Sequence, residues 1–531
     1  MDRKINFLDT SSRSGYKKHI LNKNFDVLII GGGITGAGIC LDAVSRGLNT
    51  CLIEMNDFAS GTSSKSTKLI HGGLRYLEQL KFRLVHETGS ERAILHNLAP
   101  HIVKPEKMLL PIVKNGKLNK FSTRAALLVY DYLANVKGND RNKVLTKNQI
   151  LNKEPLLKSN NLLGGAIYSE YRTDDSRLTI DLIKKSIDYG ACPINYIKGE
   201  DFIYNKKGLF NGIKCRDQLS DDMINIKSKV IINASGSWAD KVLKSRSKKL
   251  VLSKGIHIVV PRKKFNINHS LYFDAIDSRM IFAIPRDNTV YIGTTDTKFE
   301  HGKDKLDVLD KEVEYLMDSV KNRFSISVDK KDVISSWVGL RPLVKDGNKK
   351  VTEISRKDEI FISDKGLITI AGGKLTGYRK MAQRAVDVTI KSLKIRKIKS
   401  KTKSIKLFTY DEDFCRKKFW KNGIVDEKFK RLYNIYGDGC LEILKIFNQE
   451  KISDNFIIAE YLYVRRHEMC HNLLDFFTQR NSGVYFEVDR INRYVEILED
   501  YFIKKNAISI DDWEKEKLSL KRYISKITTF I

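Results

Sequence analysis

Val27 to Ile30 is an unbroken apolar run, rich in β-branched side chains, that stops at three consecutive glycines. A short run of that composition predicts a strand buried on both faces of a parallel sheet. The glycines open Gly31-Gly32-Gly33-Ile34-Thr35-Gly36, and a helical pattern continues through Ala37-Gly38-Ile39-Cys40 to Arg46, with Gly47 as its stop. A second apolar strand, Thr50 to Ile53, ends at Glu54. In such a βαβ unit the first glycine makes the tight turn and the second lets a pyrophosphate approach the backbone. The third lets the helix pack on the sheet, with its N-terminal amides aimed at the phosphates. Glu54 lies 23 positions after Gly31, where a carboxylate would hold a ribose hydroxyl. The glycine motif alone is a weak signal; strand, turn, helix, strand and terminal acid in sequence mark a dinucleotide site.

Beyond that unit the pattern changes several times. Asn56 to Gly73 (NDFASGTSSKSTKLIHGG) is short of apolar residues and reads as a loop whose amides and hydroxyls could reach phosphate or ribose oxygens. The paired glycines at its end permit close approach to a planar ring, and Arg75 opens a helix beside it. GIHIVV alternates as a strand does, so the His257 imidazole shares a face with Val259. Residues 456–464 and 467–477 carry apolar side chains at three-and-four spacing, which predicts amphipathic helices. His467-Glu468-x-x-His471 superficially matches a zinc-protease helix, but no third ligand is evident, so no metal site is expected.

Composition narrows the class. A chain of 531 residues that is 42% hydrophobic can bury a sizeable core and should divide into two or three domains. No run of 18 apolar residues indicates a transmembrane helix, and the first 24 residues lack the apolar stretch of a signal peptide. The 7 cysteines show no C-x-x-C spacing, which reads as reduced thiols in a cytosolic compartment. The formal charge of +31 rests on 66 Lys against 29 Arg, with abundant Ile and Asn, as an AT-rich genome would produce. With no helix-turn-helix, zinc finger or RNA-binding aromatic motif, nucleic acid is not an expected partner, whereas an anionic membrane surface is compatible with the charge. Lys391 to Lys406 holds eight basic residues and no acid. It reads as a domain boundary: a solvated linker, or a contact with acidic lipid head groups.

The motifs also carry a resemblance. GGGITGAGICLDAVSRGLNTCLIE followed by GTSSKSTKLIHGGLRYLE resembles the FAD-dependent glycerol-3-phosphate dehydrogenases of the amino-acid-oxidase-like flavoprotein superfamily. The likeness runs through YRTDDSRL (171–178), IINASGSWA (231–239), LSKGIHIVVP (252–261), SWVGLRPL (336–343), ISR (354–356) and IAGGKLTGYR (370–379). Ile256 and Gly377 depart from it, since many members have a small polar residue and Thr there; neither position is a proposed catalytic group. The resemblance implies an α/β fold: a Rossmann-like FAD-binding domain, an inserted, largely antiparallel substrate domain and a C-terminal helical domain. The expected boundaries are 1–100 with 165–255 and 330–395 for FAD, 101–164 with 256–329 for substrate, and 400–531 for the helices.

The implied reaction is oxidation of sn-glycerol 3-phosphate to dihydroxyacetone phosphate, with hydride moving from C2 to FAD and electrons passing to a membrane quinone. Such chemistry needs a base for the hydroxyl proton, and histidine has the unperturbed pKa for it near neutrality. Within the family pattern His257 fills that role. Arg75, Arg341 and Arg356 resemble its basic pocket, where rigid guanidinium forks suit bidentate phosphate contact. Lys374 returns the chain to the cofactor, where a cation would stabilise reduced flavin. The expected cofactor residues are Gly31, Gly32, Gly33, Ile34, Thr35, Gly36, Glu54, Thr62, Ser63, Lys68, Leu69, His71, Ala234, Gly236, Gly373, Lys374, Leu375 and Thr376. A cytoplasmic protein, peripheral on the inner face of the membrane and open to homodimer formation, fits this reading. Two alternatives stay open at this point: an oxidase that passes electrons to oxygen and releases hydrogen peroxide, and a flavin-fold binding protein without turnover.

Overall fold

A computed structural model describes residues 8–71, 82–117, 123, 127, 129, 141–243, 249–300, 302, 306–345, 358–452 and 455–530. Two sheets carry the molecule. In the first, the strands Asp358–Ile362, Ile368–Gly372, Met223–Asn233, Phe25–Ile30, Thr50–Ile53 and Cys192–Ile194 lie side by side in that order. All neighbours along it run parallel except the first pair. Phe25–Ile30 sits at its centre, and Val27, Leu28 and Ile29 are fully buried, as an apolar run covered on both faces must be. The helices Ile34–Ser45 and Tyr378–Ser392 pack against each other, and Asp175–Asp188 packs on the former. A hairpin, Ile197–Tyr204 with Phe210–Asp217, continues from Met223–Asn233.

The second sheet is built around the long strand Leu250–Pro261, which pairs antiparallel with Ser335–Val344, Thr289–Gly293 and Thr297–Phe299. Its two faces serve different cores. Ile256, Ile258 and Val260 join a cluster that includes Val313, Leu316 and Val320 of the helix Asp310–Arg323. Val259 joins Trp337 and the aromatic residues of the C-terminal helices. Those helices include Asp426–Tyr436, Cys440–Gln449, Ile457–His467, Val488–Lys504 and Ile510–Thr528.

Several sequence expectations meet a different arrangement. The boundary expected at 164/165 falls inside Leu162–Arg172, and that at 255/256 inside Leu250–Pro261. Ser335–Val344, grouped by sequence with the FAD segments, pairs along Leu250–Pro261 in the second sheet. Hydrogen-bonded neighbours decide sheet membership, and motif order does not reveal them. The amphipathic helix expected over 467–477 is broken: Ile457–His467 ends there, Met469 has φ +48°, and a new turn starts at Leu473. The reason is Glu468, which is drawn into a buried pair with Arg177 at 2.7 Å. Lys391 to Lys406 is not a free linker beyond Ser392. Ile398 is half-buried and Ile405 buried, the Ile398 carbonyl accepts from Arg46 at 3.0 Å, and the basic side chains point outward.

Candidate functional site

The glycine turn forms because its neighbours leave no room for side chains. Gly31 has φ +114°, and a Cβ there would lie 2.6 Å from the Ala234 carbonyl oxygen. The second turn, Ala234 to Gly236, can therefore close onto the first, with the Ala234 amide donating to the Ile30 carbonyl at 2.9 Å. A Cβ at Gly36 would collide with the Gly31 carbonyl, so the helix Ile34–Ser45 sits tight against its own strand. Ser63 Oγ accepts from the Ile34 amide at 2.9 Å. The amides of Thr35 and Gly36, in the same first turn, have no carbonyl partner upstream in the helix and carry its positive end.

Glu54 follows directly from the second strand. Its carboxylate accepts from the amides of Gly32 at 2.7 Å and Asn56 at 2.9 Å. Burial pushes its carboxyl up to about 7, against the pull of those two amides.

These parts open onto a cleft of about 720 Å³, within the roughly 300–1,000 Å³ usual for cofactor pockets. Of the expected cofactor residues, Gly31, Gly33, Ile34, Thr35, Glu54, Thr62, Ser63, Ala234, Gly236, Gly373, Lys374 and Leu375 line it. Gly32 lies beneath, where a Cβ would meet Phe58 at 2.7 Å, and contributes its amide to Glu54. The Lys68 ammonium is buried against Asp175 at 2.6 Å. Leu69 is buried with the aromatic core of the C-terminal helices. Thr376 donates to the His71 carbonyl at 3.2 Å, which ties the Lys374 turn to the loop before residue 72. Arg75 and Arg356 lie outside the described residues.

A dinucleotide with a flavin fits this cleft: the amide-rich turn suits the pyrophosphate, Glu54 a ribose, and Lys374 adds a cation to the lining. Sequence reading missed the wall formed by Ile197, Gly199, Phe202 and Ile213 of the hairpin. Its alternation of apolar and polar residues marks a strand but carries no chemical signal of its own.

The second constellation lies on one face of Leu250–Pro261. Register places Ser253 opposite Arg341, Gly255 opposite Gly339 and His257 opposite Trp337, with Gly293 on the other side of His257. Residues two apart share a face, so Arg341 and His257 look the same way. Between them the floor carries no side chains. A Cβ at Gly255 would collide with the Arg341 guanidinium, and one at Gly293 with the His257 ring. A Cβ at Gly339 would lie 2.7 Å from the Lys65 carbonyl.

The His257 ring stacks on Trp337 with centroids 4.8 Å apart and planes 13° apart. Nε2 meets Thr67 Oγ1 at 3.0 Å, and Nδ1 is buried without a hydrogen-bond partner. Burial, then the charges of Arg341 and Lys68, hold its pKa well below the usual 6.5. The imidazole is therefore held neutral at physiological pH. Arg341 is partly open, and its fork is oriented by Thr294 Oγ1 at 2.8 Å, the Thr295 carbonyl at 3.2 Å and Ser253 Oγ at 3.3 Å. Leu340, next to Arg341, accepts on its carbonyl from Thr62 Oγ1 at 2.7 Å and Ser237 Oγ at 3.0 Å. Both hydroxyls belong to residues of the cofactor cleft, so the two constellations are stitched together at one strand.

His467 and His471 do not share a helix face, and among the described residues no group of three or more His, Cys, Asp or Glu is placed to hold a metal.

The comparisons with known proteins agree on this architecture. Residues 26–379 match the model of the family described as FAD dependent oxidoreductase. The chain is 42% identical over 524 residues to an aerobic glycerol-3-phosphate dehydrogenase of Staphylococcus haemolyticus, covering 94% of each. It is 41% identical to the Staphylococcus epidermidis protein of the same name, covering 96% of this chain and 95% of that one. The crystal structure of the glycerol-3-phosphate dehydrogenase from Bacillus halodurans complexed with FAD superposes with a TM-score of 0.83 at 35% identity, over 98% of this chain and 99% of that one. The fold alone is shared with the FAD-bound L-alpha-glycerophosphate oxidase of Mycoplasma pneumoniae, at a TM-score of 0.56 and 17% identity over 71% of this chain and 97% of that one.

Proposed function

The chain belongs to the FAD-dependent oxidoreductases and, among them, to the glycerol-3-phosphate dehydrogenases, and from that membership we propose how its residues divide the reaction. The protein oxidises sn-glycerol 3-phosphate to dihydroxyacetone phosphate. FAD, when bound, supplies the acceptor for the hydride leaving C2. The Gly31–Gly36 turn, Glu54 and the Ala234–Gly236 turn hold the dinucleotide. His257, held in its neutral form, accepts the proton of the C2 hydroxyl. Arg341, with Arg75 and Arg356, holds the substrate phosphate, and Lys374 places a cation on the flavin side of the cleft.

One observation carries this division: a buried histidine and a pre-oriented guanidinium share one strand face, separated by glycines. Gly255 and Gly339 lie between the two, with the Arg341 guanidinium over Gly255 and the Lys65 carbonyl over Gly339. Anaerobic mixing of the holoenzyme with glycerol 3-phosphate tests it. Wild type should bleach its flavin, and glycerol without the phosphate should bleach it far more slowly.

The electrons pass on to a membrane quinone, and the protein works at an anionic membrane surface. No helix among the described residues is long and apolar enough to cross a membrane. The support for surface attachment is the Lys391–Lys406 strap, which anchors Thr402 and Ile405 inward while Lys397, Lys399, Lys401 and Lys403 stay exposed. Co-sedimentation with vesicles containing anionic lipid, lost at high salt, is the expected outcome, and a quinone analogue should reoxidise the enzyme faster than oxygen does.

A further inference from the structure

The wall that faces the ribose is gripped from outside the cofactor domain. Residues 54–59 wrap Gly32: Glu54 accepts its amide, the Ala59 amide donates to its carbonyl at 3.1 Å, and Phe58 covers it. Asp57, in the middle of this wrap, is buried and does not line the cleft. Both of its carboxylate oxygens are taken by Arg480, from Nη1 at 2.6 Å and Nη2 at 2.9 Å. Arg480 is itself fully buried, and its Nη2 also donates to the Glu468 carbonyl at 2.8 Å.

The neighbouring strand entry is held by the same C-terminal segment. The amides of Tyr196 and Ile197 donate to the carbonyls of Asn56 at 3.0 Å and Glu54 at 2.7 Å. The Tyr196 hydroxyl donates to Asp475 at 2.7 Å, and Asn195 Nδ2 bridges Asp57 at 2.8 Å and the Met469 carbonyl at 3.0 Å. Among the described residues none beyond Met381 lines the cleft, and the match to the oxidoreductase family ends at residue 379. The grip is therefore an addition to the shared core that touches the cofactor site only through its wall.

We infer that the segment Glu468–Arg480 is a clasp for the cofactor: by holding Asp57 and Tyr196 it fixes the Glu54–Ala59 wrap in the conformation that retains the ribose end of FAD. Arg480 and Asp57 are positioning residues, acting through Glu54 and Gly32. A rigid guanidinium fork suits this task because it fixes the carboxylate plane as well as its place. The inference rests on the assignment of the cleft to FAD.

FAD release from the full-length holoenzyme, followed by flavin fluorescence at a temperature below unfolding, tests the clasp. Arg480→Lys keeps the charge and loses the fork, and release should quicken by about tenfold or more, the scale expected when a bidentate charged contact is lost. Asn195→Ala removes the second donor to Asp57 without changing any charge and should quicken release in the same direction; it decides the matter alone if Arg480→Lys does not fold. Arg431→Met is the control, because Arg431 pairs with Glu460 at 2.6 Å within the C-terminal helices and touches neither the clasp nor the wrap. It should lower the unfolding temperature and leave FAD release at the wild-type rate. Release at the wild-type rate in folded Arg480→Lys or Asn195→Ala, or equal acceleration by Arg431→Met, would overturn the clasp. A wild-type protein that takes up no FAD would overturn the cleft assignment itself.

Discussion

The cofactor cleft and the His257 face are built by opposite means. The core of the cleft comes from one contiguous stretch, Phe25 to Glu54, and its working groups are backbone amides and one carboxylate. The His257 face is assembled from positions 67, 255, 257, 293, 337, 339 and 341, brought together only by strand register. The first is a local device that would work in any sheet of this kind. The second exists only once three strands have paired. Substitutions in the cleft should therefore act on cofactor retention, and substitutions on the His257 face on turnover with the flavin still bound.

The largest effect expected from breaking this division is at Gly33. A Cβ there would lie 2.9 Å from Ser63 Oγ, and the branches of valine would enter the space meant for the pyrophosphate. Gly33→Val should purify without its visible flavin absorbance, and a full flavin complement in the variant would contradict the cleft assignment. Next is Arg341→Ala. Loss of one charge-assisted contact of about 1.5–3 kcal/mol corresponds to roughly 10- to 150-fold in kcat/KM. The change should fall on KM more than on kcat, and the preference for glycerol 3-phosphate over glycerol should shrink with it. FAD content should stay at the wild-type level, and a variant that loses flavin along with substrate affinity would blur the two regions into one.

The smallest effect sharpens the comparison through pH. Glu54 has its carboxyl raised to about 7 in the protein without FAD, above the ordinary 4.5. Between those values the folded chain holds a proton that the unfolded chain has released, so this group favours the folded state as pH falls from 7 toward 4.5. FAD binding works in the other direction, because a ribose hydroxyl needs the carboxylate as acceptor. Affinity of the stripped protein for FAD should weaken as pH drops below 7, by about tenfold at pH 6 relative to pH 8. Glu54→Gln should abolish that slope. The rate of flavin reduction should show no matching loss over this range, since His257 titrates well below 6.5.

The same contrast explains what could be read from the sequence. Strand, glycine turn, helix, strand and Glu54 follow one another along the chain, and each step has a local physical reason, so this part of the cleft lining was legible, whereas the hairpin wall was not. His257 stood out by its alternating strand and by family resemblance. Its partners did not: a single glycine in a strand has no chemical marker, and nothing in the chain announces that Gly293 or Gly339 will flank the histidine. Thr67 looked like any other hydroxyl of its loop. Ser335–Val344 was grouped with the cofactor segments because its motif follows theirs, yet its hydrogen bonds belong to the second sheet. At Glu468 helical periodicity failed because a buried pair with Arg177, a tertiary partner 291 positions away, outweighed the local pattern. In the Lys391–Lys406 strap the outward lysines masked the inward anchors Thr402 and Ile405.

The most direct measurement of the central claim is single-turnover, anaerobic flavin reduction by glycerol 3-phosphate in His257→Ala. The variant should carry FAD at the wild-type level and bleach roughly 100-fold or more slowly, the scale for loss of a positioned proton acceptor. Bleaching at the wild-type rate would return His257 to the role of a buried ring stacked on Trp337 and place the proton acceptor elsewhere.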